Sequence, residues 1–430
     1  MALAWVLLLL QVDPVPTWFY VFVWYPTLIL LDAVAGRLIG EGPVLRRSRL
    51  VISLLGWSAV IWLLFELANF RLRNWYYVFL PHVRVERWAG IVLSFATVVP
   101  AILLTARLLD SLGIGRNWRS RSIAARPWEF HAATALGLTA TALALAVPHL
   151  FFPLIWGAVW LLLEPYVYRR HPEWSLLHDI TRGEWGRVGR LMMGGLLVGL
   201  LWEFYNFWAR GKWIYTVPWL EQTKLFEMPP LGFLGFPFFA LEAWILYHTL
   251  CVLGVAVPIR GGRVPSPRRL VAAACGGAIF AAATLAGMER WTVSSTVPRV
   301  GEIPGVTESH ITRAARAGID SPFTLARMTP DSLAQHAEIA LDDARLMVEA
   351  ARLTTLRGIG SRHAAVLRTT GINTVCGLAR QEPASLWRAL ADSRAAVRAT
   401  QTVRPPPRPT KAEVRVWVGA ARRNCSGADG

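Results

Sequence analysis

LFELANF, residues 64–70, and LWEFYNF, residues 201–207, each set a carboxylate and an amide three positions apart inside a long apolar run. On a helix that spacing puts both groups on one face, so Glu66 with Asn69 and Glu203 with Asn206 form two matched polar spots. The match extends outward. Phe70, Trp75 and Tyr77 follow the first copy, and Phe207, Trp213 and Tyr215 follow the second, at an offset of 137 residues with one residue inserted before the tryptophan. Upstream, Trp24 precedes Asp32 by the same interval as Trp156 precedes Glu164. The first two thirds of the chain therefore read as a duplication.

Composition fixes the environment of that duplication. Of 430 residues 54% are hydrophobic and only 17% are charged, the profile of a polytopic membrane protein rather than a soluble enzyme. Apolar runs near the ~20-residue length that crosses a bilayer recur up to residue 288 and then stop. They lie at 17–36, 50–69, 88–109, 131–148, 153–168, 190–207, 232–256 and 270–288, which predicts eight spans in two sets of four. PHLFFP, residues 148–153, ends one set and opens the next. The predicted fold is all-α: a membrane domain over 1–288 with repeats at about 17–148 and 153–288, a helical domain over 289–392, and a basic, Pro-rich flexible tail over 393–430. MALAWVLLLLQ has no basic residue before it and no small-residue cleavage site, and reads as an uncleaved, half-inserted lead-in to the first span.

A repeat with an even number of crossings keeps its orientation, so the halves are expected to face each other across a pseudo-two-fold axis along the membrane normal. Glu66, Asn69, Glu203 and Asn206 would then converge on one polar centre. A carboxylate inside a span costs about 2.5–3.5 kcal/mol on insertion scales, so Asp32, Glu66, Glu164, Glu203 and Glu242 are expected to face the protein interior or an interface. Three readings follow: polar glue between helices, with Trp75, Tyr77, Trp213 and Tyr215 as an interfacial belt; a general acid acting on an apolar lipid; or a path for protons or a small cation. His248 could join such a path, although a lone histidine on an apolar helix is more often structural. KWIYTVPWLEQTKLFEMPPLGFLGFPFFALEAW, residues 212–244, weakly resembles the W-x-Y, proline and Glu-bearing pattern of the small membrane lycopene cyclases, which implies isoprenoid-like chemistry with Glu66 and Glu203 as acids. It lacks that family's paired acidic residues after a proline.

Beyond the spans, residues 303–333 align without a gap on 356–386 at an offset of 53, including Gly305 with Gly358, His310 with His363, Gly318 with Gly371 and Pro330 with Pro383. Each unit predicts a Gly-bearing hairpin, a helix ending at a Gly-Ile cap, and a further helix. RGIGSRHAAVL resembles the helix-hairpin-helix pattern, and the tail is similar to the tandem helix-hairpin-helix domains of bacterial proteins. That resemblance implies sequence-independent DNA contact through Gly358, Ile359, Gly360 and Ser361, with Arg357 and Arg362 as phosphate partners. In the first unit Thr307 and Glu308 occupy the corresponding turn, which should bind phosphate poorly. A compact module for protein contacts fits the same residues.

No cofactor is indicated. The four cysteines, Cys251, Cys275, Cys376 and Cys425, form no CxxC pair and have no histidine at ligand spacing, so neither a disulfide nor a zinc site is expected. The formal charge of +17 resides almost wholly in arginine. Of the 25 basic residues before residue 289, 18 lie in loops 37–49, 106–130, 165–190 and 257–269, so the positive-inside rule places those loops in the cytoplasm of a bacterial inner membrane. With eight spans the tail is then external, whereas DNA contact would put it inside, an arrangement that an odd count with residues 2–12 as a further crossing would allow. The expected partners are the bilayer and, through the tail, DNA or a protein.

Overall fold

Long apolar runs broken by short Arg- and Pro-bearing loops become helices α1 (Val15–Ile39) and α2 (Ser48–Leu72), strand β1 (Trp75–Val78), and helices α3 (Arg84–Ala96), α4 (Val98–Ser111) and α5 (Pro127–Ala146). The second set repeats the order: α6 (Ile155–Arg170), α7 (Gly186–Trp208), β2 (Lys212–Tyr215), α8 (Gly235–Val252) and α9 (Pro267–Trp291). The computed structural model describes residues 1–217, 223–400 and 408–425. It divides into two units, one of Met1–Arg73, Val85–Ala209 and Gln222–Met288, the other of Asn74–Arg84, Arg210–Glu221 and Glu289–Gly430.

Among the described residues seven helical runs are long and apolar enough to cross a membrane: Val15–Ile39, Ser48–Leu72, Arg84–Ser111, Pro148–Arg170, Gly186–Trp208, Pro230–Val252 and Pro267–Trp291. The span expected at 131–148 is α5, a 20-residue helix that is not among the seven. It nevertheless packs tightly on α6, because a Cβ added to Gly137 would stand 2.7 Å from the Ala158 carbonyl oxygen. At the opposite extreme α9 exposes Val271 and Ile279, as a lipid-facing helix does.

The repeats pack alike in detail. Ser58 Oγ donates to the Phe95 carbonyl at 2.7 Å and accepts from Val99 N–H at 3.0 Å, sealing the crossing of α2 over the junction of α3 and α4. At the equivalent crossing of α7 over α8, Gly195 lies so close that a Cβ would stand 2.5 Å from the Phe236 carbonyl oxygen.

The second unit begins as a sheet, which corrects the all-α expectation. The aromatics after each polar spot are not only a belt: β1 and β2 pair antiparallel, with Trp75 opposite Tyr215, Tyr76 opposite Ile214, and Tyr77 opposite Trp213. Trp75 is the repeat partner of Trp213, and Tyr77 of Tyr215. Exchanging the repeats therefore returns the same register, as a two-fold axis through the Tyr76–Ile214 pair requires. Residues after α9 extend this platform, since Tyr77 N–H donates to the Thr292 carbonyl at 2.7 Å and Ser294 N–H to the Tyr77 carbonyl at 2.9 Å.

The tail is two copies of four helices. The first holds α10 (Glu308–Arg316), α11 (Pro322–Arg327), α12 (Pro330–Ala337) and α13 (Leu341–Thr355); the second holds α14 (Gly360–Thr369), α15 (Val375–Ala379), α16 (Pro383–Thr400) and α17 (Lys411–Cys425). Gly318 and Gly371 take positive φ after α10 and α14, and Ile319 and Ile372 are buried behind them, as the Gly-Ile caps predict. The fourth helices correct the expectation of a flexible arm from residue 393. In α13 Ala344, Met347, Val348 and Ala351 are buried, and in α17 Val414, Trp417, Val418 and Ala421 fill the same places. Arg352 donates to the Ala326 and Met328 carbonyls, and Arg422 to their counterparts on Ala379 and Gln381. Residues 401–407 and 426–430 of that arm lie outside the described residues.

Cysteine pairing is a further correction. Cys376 in α15 and Cys425 at the end of α17 form a disulfide across a sequence separation of 49. No local spacing announces it, because the two meet only once α17 has folded back on α15.

Candidate functional site

Glu66, Asn69, Glu203 and Asn206 are all completely buried. Trp62 Nε1, one turn before Glu66 on α2, donates to Glu66 Oε1 at 3.1 Å. Trp202, beside Glu203 on α7, reaches the same aromatic cluster: the Trp62 and Trp202 ring centroids are 6.5 Å apart, and Phe239 of α8 lies 5.3 Å from the first and 6.0 Å from the second. The two repeats thus meet in one aromatic cluster through Trp62 and Trp202. Glu227, also fully buried, lies in the stretch quoted above but was not singled out, since a Glu outside the predicted spans carries no burial signal.

Asp32 and Glu164 have one job, performed twice. Asp32 accepts from Val44 N–H at 3.0 Å and Leu45 N–H at 2.7 Å, while Glu164 accepts from Leu177 N–H at 2.8 Å and from the Ser175 hydroxyl. Each carboxylate ties down the loop leaving its own helix. Arg107 neutralises Asp32 at 2.5 Å, and Trp160 Nε1 donates to Glu164 at 2.9 Å. Their repeated spacing is therefore a packing device.

Glu242 has no such twin. It sits fully buried on α8 opposite an interruption in α6, where Trp156 and Gly157 leave helical geometry and Gly157 takes φ 109°. The break frees backbone N–H groups, and Glu242 Oε1 accepts from Val159 N–H at 2.9 Å. Its Oε2 has no hydrogen-bond partner among the described residues. Phe65, Trp156 and Phe239 close a triangle beside the break, with centroids 5.2–5.8 Å apart. His248 is held apart from Glu242: its Nδ1 bonds the Trp244 carbonyl at 2.8 Å and its ring stacks on Trp244.

In the tail the predicted hairpin is present but covered. Gly358 and Gly360 take φ of 81° and 66°, as the turn needs, and Gly358, Ile359 and Gly360 are buried. A Cβ at Gly358 would collide with Val78 of β1, and one at Gly360 would stand 2.7 Å from Ser295. Tyr76 Oη donates to the Arg357 carbonyl at 3.5 Å, and Ser361 Oγ to Glu302 at 3.4 Å. The backbone that would approach a phosphate is thus spent on the β platform, while Arg362 is exposed. In the first tail repeat Thr307 caps α10, accepting from His310 N–H at 3.4 Å.

Among the described residues no group of three or more His, Cys, Asp or Glu is placed to hold a metal ion. Residues 304–424 match the family described as a domain of unknown function, DUF4332, which spans all eight tail helices. No curated protein and no solved structure matches the chain.

Proposed function

We propose that the chain is an eight-span protein of a bacterial inner membrane that displays its tandem helical module outside the cytoplasm, where the module binds a protein or envelope partner rather than DNA. The observation that carries this reading is the covered hairpin: phosphate capture needs the glycine turn open to solvent, and here it packs on Val78 and Ser295. Topology supports the rest. Strands β1 and β2 pair, so an even number of crossings must separate them. The runs Arg84–Ser111, Pro148–Arg170 and Gly186–Trp208 supply three, and α5 supplies the fourth. On that count the positive-inside rule assigns the sheet and tail to the non-cytoplasmic side of the membrane, and the Cys376–Cys425 disulfide suits an oxidising compartment. Full-length protein in nanodiscs, titrated with duplex DNA over a range of salt, tests the reading. We expect no binding that the exposed-site variant Arg362→Glu weakens. Salt-sensitive binding abolished by that variant would restore the DNA reading.

A second reading, proton or substrate handling within the membrane, is favoured by Glu242 alone, since a carboxylate opposite a broken helix is how many transporters build a midplane site.

A further inference from the structure

Two of the four basic loops, one after α1 and one after α8, meet in the first unit around a cavity of ≈ 540 Å³. Three cations line it, Arg47, Arg49 and Arg260, together with apolar Leu50 and Val264. Arg47 Nη2 donates to the Ile259 carbonyl at 2.5 Å and so fastens one loop to the other. Arg260 is balanced by Glu41 at 3.0 Å. Arg49 is exposed and has no hydrogen bond or ion pair among the described residues. The cavity therefore holds more positive charge than its one carboxylate neutralises. At Gly261, with φ 65°, a side chain would meet nothing within 4 Å, so the backbone there leaves the opening clear.

What surrounds the arginines distinguishes the ligand. In the lining itself Leu50 and Val264 stand among the arginines, and Ile52, three residues beyond Arg49 on α2, is 74% exposed. Leu50 and Val264 beside the arginines suit a ligand with an anionic head and apolar chains, and guanidinium groups suit a phosphate, which they can bind through two parallel N–H donors. We propose that this cavity binds the phosphate of an anionic phospholipid, with Arg49 as its free donor and Arg47 and Arg260 framing it.

The test uses the full chain in nanodiscs of phosphatidylcholine with or without phosphatidylglycerol, scored by thermal stability and by lipid retained in native mass spectrometry. Phosphatidylglycerol should be retained selectively and should raise the unfolding temperature. Arg49→Gln should weaken retention about fivefold, the effect of one basic side chain near an anionic surface. Arg46→Gln removes the same charge from the same loop but lies outside the cavity, and should leave retention unchanged. Equal losses in both variants would mean diffuse surface charge and overturn the site. Stabilisation by inorganic phosphate in pure phosphatidylcholine, lost in Arg49→Gln, would assign the cavity to a soluble phosphate and overturn the lipid. Absence of any anion dependence would overturn both.

Discussion

Glu242 holds an interrupted helix in place, and its two oxygens can be separated experimentally. Truncation to alanine leaves the Val159 N–H buried without its acceptor, a loss of about 1–3 kcal/mol. Glutamine keeps a carbonyl oxygen for that bond while removing the ionisable group. Thermal unfolding in detergent should therefore show Glu242→Ala clearly destabilised and Glu242→Gln close to the parent. If Gln is as damaging as Ala, the carboxyl group itself is needed and the capping role fails. If Gln is stable but a transport or turnover assay collapses, the second functional reading gains. Asp32 and Glu164 differ in kind, because both oxygens of each already have donors: those of Asp32 face Val44 and Leu45 N–H of its following loop, and those of Glu164 face Leu177 N–H of its loop and Trp160 Nε1 one turn back on α6.

Among the elements, α5 carries the proposed topology and packs on small residues. Gly137 sits against the backbone of α6 at Ala158 and Leu162, so a larger side chain must push the helices apart. Gly137→Leu is expected to lower the unfolding temperature of the full chain, whereas Leu136→Ala, at a position 58% exposed, should be nearly neutral. Equal effects would mean that α5 is not packed as described. Most helices of both units were legible in the sequence because burial and capping leave local marks: apolar runs for the spans, Gly-Ile pairs for the tail. Three features were not. Strands β1 and β2 are four residues each, β1 buried throughout and β2 only at Ile214, and each pairs with a strand more than a hundred positions away, so WYYV and KWIY carry no strand signal to read. Helix α17 escaped because its likeness to α13 runs at an offset of 70, not 53, so the gapless alignment ended before reaching it. The polar spots were recognisable as a repeat, but not the closing of the Gly358–Gly360 turn, which depends on Val78 and Ser295 far upstream.

For the molecule as a whole, the proposed external placement of the tail rests on the basic loops, the β pairing and the disulfide together. Because Cys376 and Cys425 are joined, direct thiol labelling of either in intact cells should fail. Labelling by a membrane-impermeant maleimide should appear only after an impermeant reductant has been added outside, and Cys376→Ser should expose Cys425 without it. Labelling that requires lysis, with or without reductant, would put the tail in the cytoplasm. Free Cys275 in α9 is exposed along the helix but within its apolar run, so it should stay unreactive to the same reagent.

The self-matching register of the β pair also sets a timetable for biogenesis. β1 is synthesised 137 residues before β2, which at about 5–20 residues per second means roughly 7–27 s during which Trp75, Tyr76 and Tyr77 have no pairing strand. Their third neighbour, the segment from Thr292, arrives later still. On the proposed topology three stretches separated by membrane crossings must wait for one another on the same face, and the platform closes only when the last helix has been inserted. A nascent chain halted before α9 would carry an open aromatic edge, a mark by which a quality-control protease could tell an unfinished molecule from a finished one.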